Sequence, residues 1–175
     1  MIRKAENMSD VKDAARIYES IERLELEGVF HTGWKSGIYP TLETALDAFN
    51  NDELYVFEDE NGNVAASAII NRICPDAYDL VKWNTDAEPD ELLVLHTLSV
   101  DPDYKGREIG KEFVAFYENT ARNMSCKTLR MDTSETNTPA RALYKKLGFT
   151  EVGIVPCNFN NGLRKINLVM LEKIL

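Results

Sequence analysis

The chain has 175 residues, of which 44% are hydrophobic and 28% charged, and it carries a formal net charge of −9 at pH 7. This composition is typical of one globular domain, and the acidic balance without a basic stripe argues against a nucleic-acid partner. No apolar run reaches the about 18 residues of a membrane-spanning helix, and three scattered cysteines form neither a disulfide framework nor a zinc motif, so we expect a cytoplasmic protein without membrane or metal partners.

The first half of the chain is predicted to contain a strand, two helices and a hairpin. Residues 2–5 form a short strand, and the opening residues lack the apolar segment of a signal peptide. Ser9 and Asp10 are suitable N-caps for a helix that ends near Gly28, and Thr41 for a second helix. The intervening GWKSGIYP is predicted to be an exposed loop. ELYVFED and VAASAII, joined by ENGN, are predicted to pair as a hairpin.

The second half alternates between strands and helices. Residues 72–90 are predicted as a loop with a helical turn, and the apolar run LLVLHTLSV that follows is typical of a central strand buried on both faces. A helix with the apolar face Ile109, Phe113, Phe116, Thr120 and Met124 is expected next, followed by the strand TLRMDT. Thr138 and Pro139 are suitable N-cap and N1 residues for a helix that Gly148 ends. TEVGIV and RKINLVML are predicted as the last strands. The order β-α-α-β-β-β-α-β-α-β-β indicates an α/β fold with helices on both faces of a mixed sheet.

Two motifs carry the functional prediction. In DPDYKGREIG, residues 101–110, glycines precede a helix start, which suits anion binding by main-chain N–H groups but is also consistent with a simple entry turn. LHTLSVDPDYKGREIG and the downstream NTPARALYKKLGF together resemble the two halves of the cofactor site of the GNAT superfamily of acetyl-CoA-dependent N-acetyltransferases. The match covers residues 92–153. The resemblance implies a single GNAT domain over residues 1–175, with a central mixed, mostly antiparallel sheet of six to seven strands.

The resemblance also implies acetyl-CoA as cosubstrate and assigns its contacts. The main-chain N–H groups from Arg107 to Gly110 would take the pyrophosphate, and the backbone of residues 98–100 would pair with the pantetheine arm. Asn137 would bond the same arm, although it also suits a turn, and the small Ala140 would leave room for the cofactor. The full set is Leu98, Ser99, Val100, Lys105, Gly106, Arg107, Glu108, Ile109, Gly110, Asn137, Ala140 and Tyr144.

Two of these residues depart from the family's pattern. Lys105 replaces Arg or Gln, which is a mild change because contacts there are largely main-chain. Glu108 replaces the middle glycine and is expected to fall in the first helical turn. A carboxylate about 6 Å from a phosphate would be repelled by about 2–3 kcal/mol at an effective dielectric near 20. Solvent exposure, the helix dipole and neighbouring cations reduce this repulsion, so we expect weakened but competent binding.

Tyr144 is the predicted general acid, because a phenol near the sulfur can protonate the departing CoA thiolate. The alternative is a tyrosine that only packs its ring. His96 is the predicted general base, since its unperturbed pKa of about 6.5 suits that role, although a histidine in an apolar strand is often a core residue. Glu91 and Asp132 are the other candidates for the base.

Trp34 and Tyr39, in the loop between the first two helices, would line the amine acceptor site through cation–π contacts. They would equally well fasten that loop to the core. The leading hypothesis is an acyltransferase that moves an acetyl group to a primary amine of a small molecule or peptide, by direct attack in a ternary complex. A catalytically decayed CoA-binding or regulatory module and an interaction domain without cofactor are the alternatives. Homodimers are common in the resembling family, so a homodimer is one expected assembly.

Overall fold

The computed structural model describes residues 1–175, except for the side chain of Asn160. Strands and α-helices follow one another in the predicted order. Their bounds are β1 Ile2–Lys4, α1 Met8–Leu26, α2 Leu42–Asn50, β2 Leu54–Glu58, β3 Val64–Asn71, β4 Leu92–Val100, α3 Ile109–Asn123, β5 Thr128–Ser134, α4 Thr138–Lys146, β6 Thr150–Phe159 and β7 Arg164–Ile174. The seven strands form one sheet in the order β1-β2-β3-β4-β5-β7-β6. The predicted α/β class and number of strands are therefore confirmed. Among the described residues, no helix is long and apolar enough to cross a membrane.

The chain divides into two compact units. Unit 1 comprises Met1–Phe30, Trp34–Ile70 and His96–Phe116, and unit 2 comprises His31–Gly33, Asn71–Leu95 and Tyr117–Leu175. In unit 1, β1, β2 and β3 pair in antiparallel fashion. In unit 2, the first four residues of β4 pair in parallel with β5, β5 pairs with β7, and β7 pairs with β6, the last two in antiparallel fashion. Unit 1 thus contains the motif DPDYKGREIG, and unit 2 contains the motif NTPARALYKKLGF.

The N-terminus of α1 differs from the prediction. Asn7, and not Ser9 or Asp10, is the N-cap, and its side chain accepts hydrogen bonds from the N–H groups of both residues. Asp10 is buried and its carboxylate binds the guanidinium of Arg3 at 2.8 and 3.1 Å. Thr41 caps α2 as predicted, in a reciprocal capping box with Thr44.

Two further local predictions need correction. Asn137, and not Thr138, caps α4. In α3 the buried face runs through Ile109, Phe113, Val114, Tyr117 and Ala121, whereas Met124 is 45% exposed. The last two predicted steps, from Phe116 to Thr120 and on to Met124, are four residues each against a helical period of 3.6, and Met124 lies beyond the end of α3 at Asn123, so the predicted face is wrong towards the end of the helix. Gly148, with φ of +89°, follows the C-cap of α4 and ends that helix as predicted.

Candidate active site

The loop between β4 and α3 lies in unit 1 and is anchored before its glycine. Asp101 is 4% exposed, and its carboxylate accepts hydrogen bonds from Arg16 Nη1 at 2.6 Å and from the N–H of Asp103 at 3.0 Å. The Tyr104 hydroxyl donates to Asp59 Oδ2 at 2.7 Å, and this bond lowers the pKa of Asp59 well below its usual range. The loop is therefore fastened to α1 and to the turn of the β2–β3 hairpin.

The start of α3 presents main-chain donors. The N–H groups of Glu108, Ile109 and Gly110 have no hydrogen-bond partner among the described residues, as is usual in the first turn of a helix. The N–H of Arg107, which was predicted to contact the pyrophosphate, donates instead to the carbonyl of Tyr104 at 3.3 Å. Three adjacent N–H groups at the positive end of a helix dipole fit an anionic group.

Glu108 occupies the position before α3 and not its first turn, which corrects the prediction. Its carbonyl accepts hydrogen bonds from the N–H groups of Lys111 and Glu112, and its φ is +59°. A left-handed backbone costs a residue with a side chain about 1–2 kcal/mol, and glycine avoids this cost. The carboxylate is 71% exposed and lies 3.2 Å from Lys111 Nζ. Both features reduce the repulsion that it would exert on a phosphate.

Two cationic side chains flank the same loop. Lys105 Nζ lies 5.9 Å from the centre of the Phe30 ring, and the Arg107 guanidinium lies 4.7 Å from the centre of the Tyr104 ring. Gly106 between them has φ of +85°, a conformation that glycine adopts without strain. The loop thus adds positive charge to its main-chain donors.

The second half of β4 has an irregular backbone. Thr97 has φ of +51°, which is a rare conformation for a β-branched residue and often marks a functional site. Its hydroxyl lies 2.5 Å from the hydroxyl of Tyr39. The buried Ser99 hydroxyl lies 2.8 Å from that of Ser67 on β3. The side chain of Ser99 is therefore engaged within unit 1, and its backbone is the part that a ligand can use.

The aromatic residues predicted to line an acceptor site belong to unit 1. The Trp34 ring packs edge-on against Tyr18 with ring centres 5.9 Å apart, and Tyr39 contacts Thr97. Trp34, Tyr39 and His96 are all partly buried. Trp34 packs against the apolar core, as expected for a residue that fastens the loop, and this placement is compatible with either predicted role.

In unit 2, Tyr144 is 8% exposed and packs against Phe149, with ring centres 6.1 Å apart. Its hydroxyl makes no hydrogen bond with any described residue. Burial, together with the charge of Asp132, raises the pKa of Tyr144 to about 12. The phenol is therefore protonated at neutral pH, as a general acid must be before it acts.

Asn137 and Ala140 are joined at the start of α4. Asn137 Oδ1 accepts a hydrogen bond from the N–H of Ala140 at 3.4 Å, and Nδ2 donates to Thr133 Oγ1 at 3.3 Å. The amide of Asn137 thus caps α4, a role that the sequence pattern assigned to Thr138, and its contact with the pantetheine arm stays a prediction. The partly buried Ala140 occupies the first turn of the helix.

A partly buried acid, Asp132, acts electrostatically on Tyr144 and is a stronger candidate for the general base than the sequence suggested. Tyr78, in a short 3₁₀ helix over Asp76–Leu80, donates its hydroxyl to Asp132 Oδ1 at 3.0 Å. Burial raises the pKa of Asp132, although the bond from Tyr78 and the charge of Arg164 oppose the rise. The sequence does not predict this role of Tyr78, because no local pattern links a loop tyrosine to a strand 54 residues away.

The remaining candidate base is less suitable. Glu91 forms an ion pair with Lys127, and the hydrogen bond from that lysine lowers the pKa of Glu91. A lowered pKa makes a carboxylate a weaker base. Among the described residues, no group of His, Cys, Asp and Glu side chains is arranged to hold a metal ion.

Residues 16–149 match the family described as "Acetyltransferase (GNAT) family". The ribosomal protein bS18-alanine N-acetyltransferase of Escherichia coli (strain K12) is 27% identical over 137 residues, which cover 77% of this chain and 81% of that protein. A GNAT-family acetyltransferase from Streptococcus agalactiae has a TM-score of 0.78 at 22% identity, covering 100% of this chain and 95% of its own. One from Listeria monocytogenes has a TM-score of 0.73 at 22% identity, covering 100% and 94%.

Proposed function

Because the chain belongs to the acetyltransferase (GNAT) family, we propose that it transfers an acetyl group from acetyl-CoA to a primary amine. The resemblance and fold expected from the sequence are confirmed, and the chain is an acetyltransferase by family. The observation that carries the proposal further is the row of three unpartnered N–H groups at the start of α3. Such a row complements the diphosphate of CoA.

The residues proposed to hold the cosubstrate act mainly through their backbone. The N–H groups of residues 108–110 bind the pyrophosphate, with Lys105, Gly106 and Arg107 before them supplying charge and a flexible turn. The backbone of residues 98–100 pairs with the pantetheine arm, and an N–H in this stretch polarises the thioester carbonyl. Asn137 and Ala140 border the arm. This assignment tolerates Glu108, because its carboxylate is exposed and paired with Lys111.

In the proposed reaction the amine nitrogen attacks the thioester carbonyl, a C–N bond forms and the C–S bond breaks. Tyr144, which is protonated at neutral pH, donates its proton to the departing sulfur, although its raised pKa makes the phenol a weaker acid than an exposed tyrosine. The nitrogen loses its proton to a general base. His96 remains the predicted base, and Asp132 is favoured over Glu91 as its rival, because burial makes Asp132 more basic whereas an ion pair makes Glu91 less so.

The test is release of free CoA thiol from acetyl-CoA by the purified protein with a panel of primary amines. Transfer to at least one amine is expected, with acetylated product identified by mass. Binding of acetyl-CoA without release of thiol for any amine would contradict the enzymatic proposal and favour a CoA-binding module. Comparison of His96→Gln with Asp132→Asn identifies the base, because removing the base abolishes the acidic limb of the pH–rate profile.

A further inference from the structure

Two buried polar side chains of unit 1, Glu22 and Tyr18, have no role in the proposed acetyl transfer. Glu22 and Tyr18 are 4% and 1% exposed, and neither Glu22 Oε1 nor the Tyr18 hydroxyl has a hydrogen-bond partner among the described residues. They are four residues apart on α1, so they lie on one face of that helix. Leaving such groups unpaired is costly, which makes each of them a candidate for ligand recognition.

The rings of Trp34 and Tyr39 lie near Tyr18, and the negative charge of Glu19 acts on Glu22. Trp34 packs edge-on against Tyr18, and Ser36 of the same loop lies close enough to Glu22 to oppose the rise in pKa that burial causes. Tyr39 acts on Tyr18 electrostatically and bonds Thr97, the residue with the left-handed backbone just before Leu98. The Glu22–Tyr18 pair is thus linked, through loop residues, to the strand proposed to hold the thioester.

We propose that Glu22 and Tyr18 bind a second, non-reacting ammonium group of the acceptor, which makes the acceptor a linear diamine or polyamine. A carboxylate only accepts hydrogen bonds, and an ammonium group has three donors, enough for Glu22 Oε1 and the Tyr18 oxygen together. The rings of Tyr18 and Trp34 add favourable cation–π interactions. The net charge of −9 attracts cations from a distance.

The ammonium held at Glu22 is not the nitrogen that attacks. A neighbouring carboxylate stabilises the charged form of an amine and raises its pKa, whereas the attacking amine must be neutral. The acceptor therefore needs two amino groups, one protonated at Glu22 and one free for acetylation. This inference rests on the proposed function for the reaction, but the binding of a diamine is measurable without any turnover.

The experiment is calorimetric titration of the full chain with 1,4-diaminobutane, its three-, five- and six-carbon homologues, and 1-aminobutane. At least one diamine is expected to bind about tenfold or more tightly than 1-aminobutane. Glu22→Gln removes this preference. Glu43→Gln, which removes an exposed carboxylate on α2, keeps it. Equal binding of monoamine and diamines, no binding of any diamine, or an unchanged preference in Glu22→Gln would overturn the inference.

Two further measurements separate this inference from its alternatives. Glu22→Gln is expected to melt at or above the temperature of the unaltered protein, because it removes a buried unpaired charge. A lower melting temperature would show that the carboxylate supports the fold, and would overturn the inference. Titration with acetyl-CoA tests the proposed function alone. If diamine binding depends on Glu22 but acetyl-CoA does not bind, the proposed acetyltransferase function is contradicted and the diamine site at Glu22 is still supported.

Discussion

Residues 105–108 of the loop in unit 1 are exposed and lead into a helix start that offers main-chain N–H groups, whereas Tyr144 in unit 2 is a buried side chain on which the charge of the partly buried Asp132 acts. The loop depends on backbone shape, so its side chains can change as long as the anchors at Asp101 and Tyr104 hold. The role proposed for Tyr144 depends on a single side-chain hydroxyl. Substitutions should therefore differ in the size of their effect on activity: small at loop side chains other than the two anchors, and large at Tyr144.

The largest effect is expected for Tyr144→Phe. Loss of a general acid lowers kcat by about 10²-fold, with little change in the affinity for acetyl-CoA. The rate of CoA thiol release under saturating substrates measures it. Because the pKa of Tyr144 is about 12, this acid stays protonated at all pH values up to about 10. Tyr55→Phe, at a partly buried tyrosine of unit 1, is the matched control and should leave kcat unchanged. Equal rates for both variants would assign Tyr144 a packing role only.

Asp101→Ala tests the anchoring of the loop. It removes a buried acceptor of two hydrogen bonds, one of them from Arg16, so the free energy of unfolding should fall by about 2 kcal/mol. Urea titration measures this change. Acetyl-CoA binding should weaken as well, since the loop loses its tie to α1. Asp103→Ala, at an exposed neighbour, should change neither quantity by a comparable amount. Matching losses in the two variants would contradict the anchoring role of Asp101.

The two regions should also differ in how pH affects their acids. The pKa of Asp59 is lowered by the bond from Tyr104, so its contribution to stability is present above about pH 4 and is lost as pH falls further. The pKa of Asp132 is raised by burial, so its contribution is present below about pH 4 and is lost as pH rises. Asp59→Asn should therefore destabilise more at pH 7 than at pH 3.

For Asp132→Asn the sign is reversed. Its stability relative to the unaltered protein should increase as pH rises from 4 to 7, because the variant lacks the partly buried carboxyl that must ionise. Asn keeps an oxygen that can accept the hydrogen bond from Tyr78. Urea titrations at several pH values measure both variants. The same pH dependence for Asp59→Asn and Asp132→Asn would contradict the contrast between the two regions.

The smallest effect is expected at Glu108, where two substitutions separate charge from backbone strain. Glu108→Gly relieves the left-handed conformation and should raise the free energy of unfolding by up to about 1 kcal/mol. Glu108→Gln removes only the charge. Both should tighten acetyl-CoA binding by a few-fold at most, because the carboxylate is exposed and paired. Calorimetry measures the affinities. Unchanged or weaker binding in both variants would show that the carboxylate does not act on the phosphates.

The sequence predicted features that depend on neighbouring residues. Thr41 as N-cap, Gly148 as helix end and the succession of elements all follow from local backbone preferences and from hydrophobic spacing. The prediction was wrong at the start of α1, where Asn7, Ser9 and Asp10 all suit an N-cap. Arg3 binds Asp10, and that contact between elements leaves the cap to Asn7.

The surroundings of the candidate site could not be predicted in the same way. Tyr78 donates to Asp132, and Arg16 binds Asp101, over separations of 54 and 85 residues. Nothing in the local spacing of these residues distinguishes them from surface groups. The sequence gives a weak indication that Glu22 is unusual. Glu22 lies four residues after Tyr18, on the apolar face of α1, where a charged residue is rare. That signal indicates that Glu22 is buried. It does not indicate that Glu22 Oε1 lacks a hydrogen-bond partner among the described residues, which the structure shows.

Titration of the full chain with acetyl-CoA by calorimetry tests the central claim most directly, namely that the N–H groups of residues 108–110 bind the diphosphate of the cosubstrate. We predict measurable binding that weakens in Asp101→Ala and does not weaken in Glu108→Gly. No detectable heat with millimolar acetyl-CoA, or an affinity unaffected by Asp101→Ala, would contradict it.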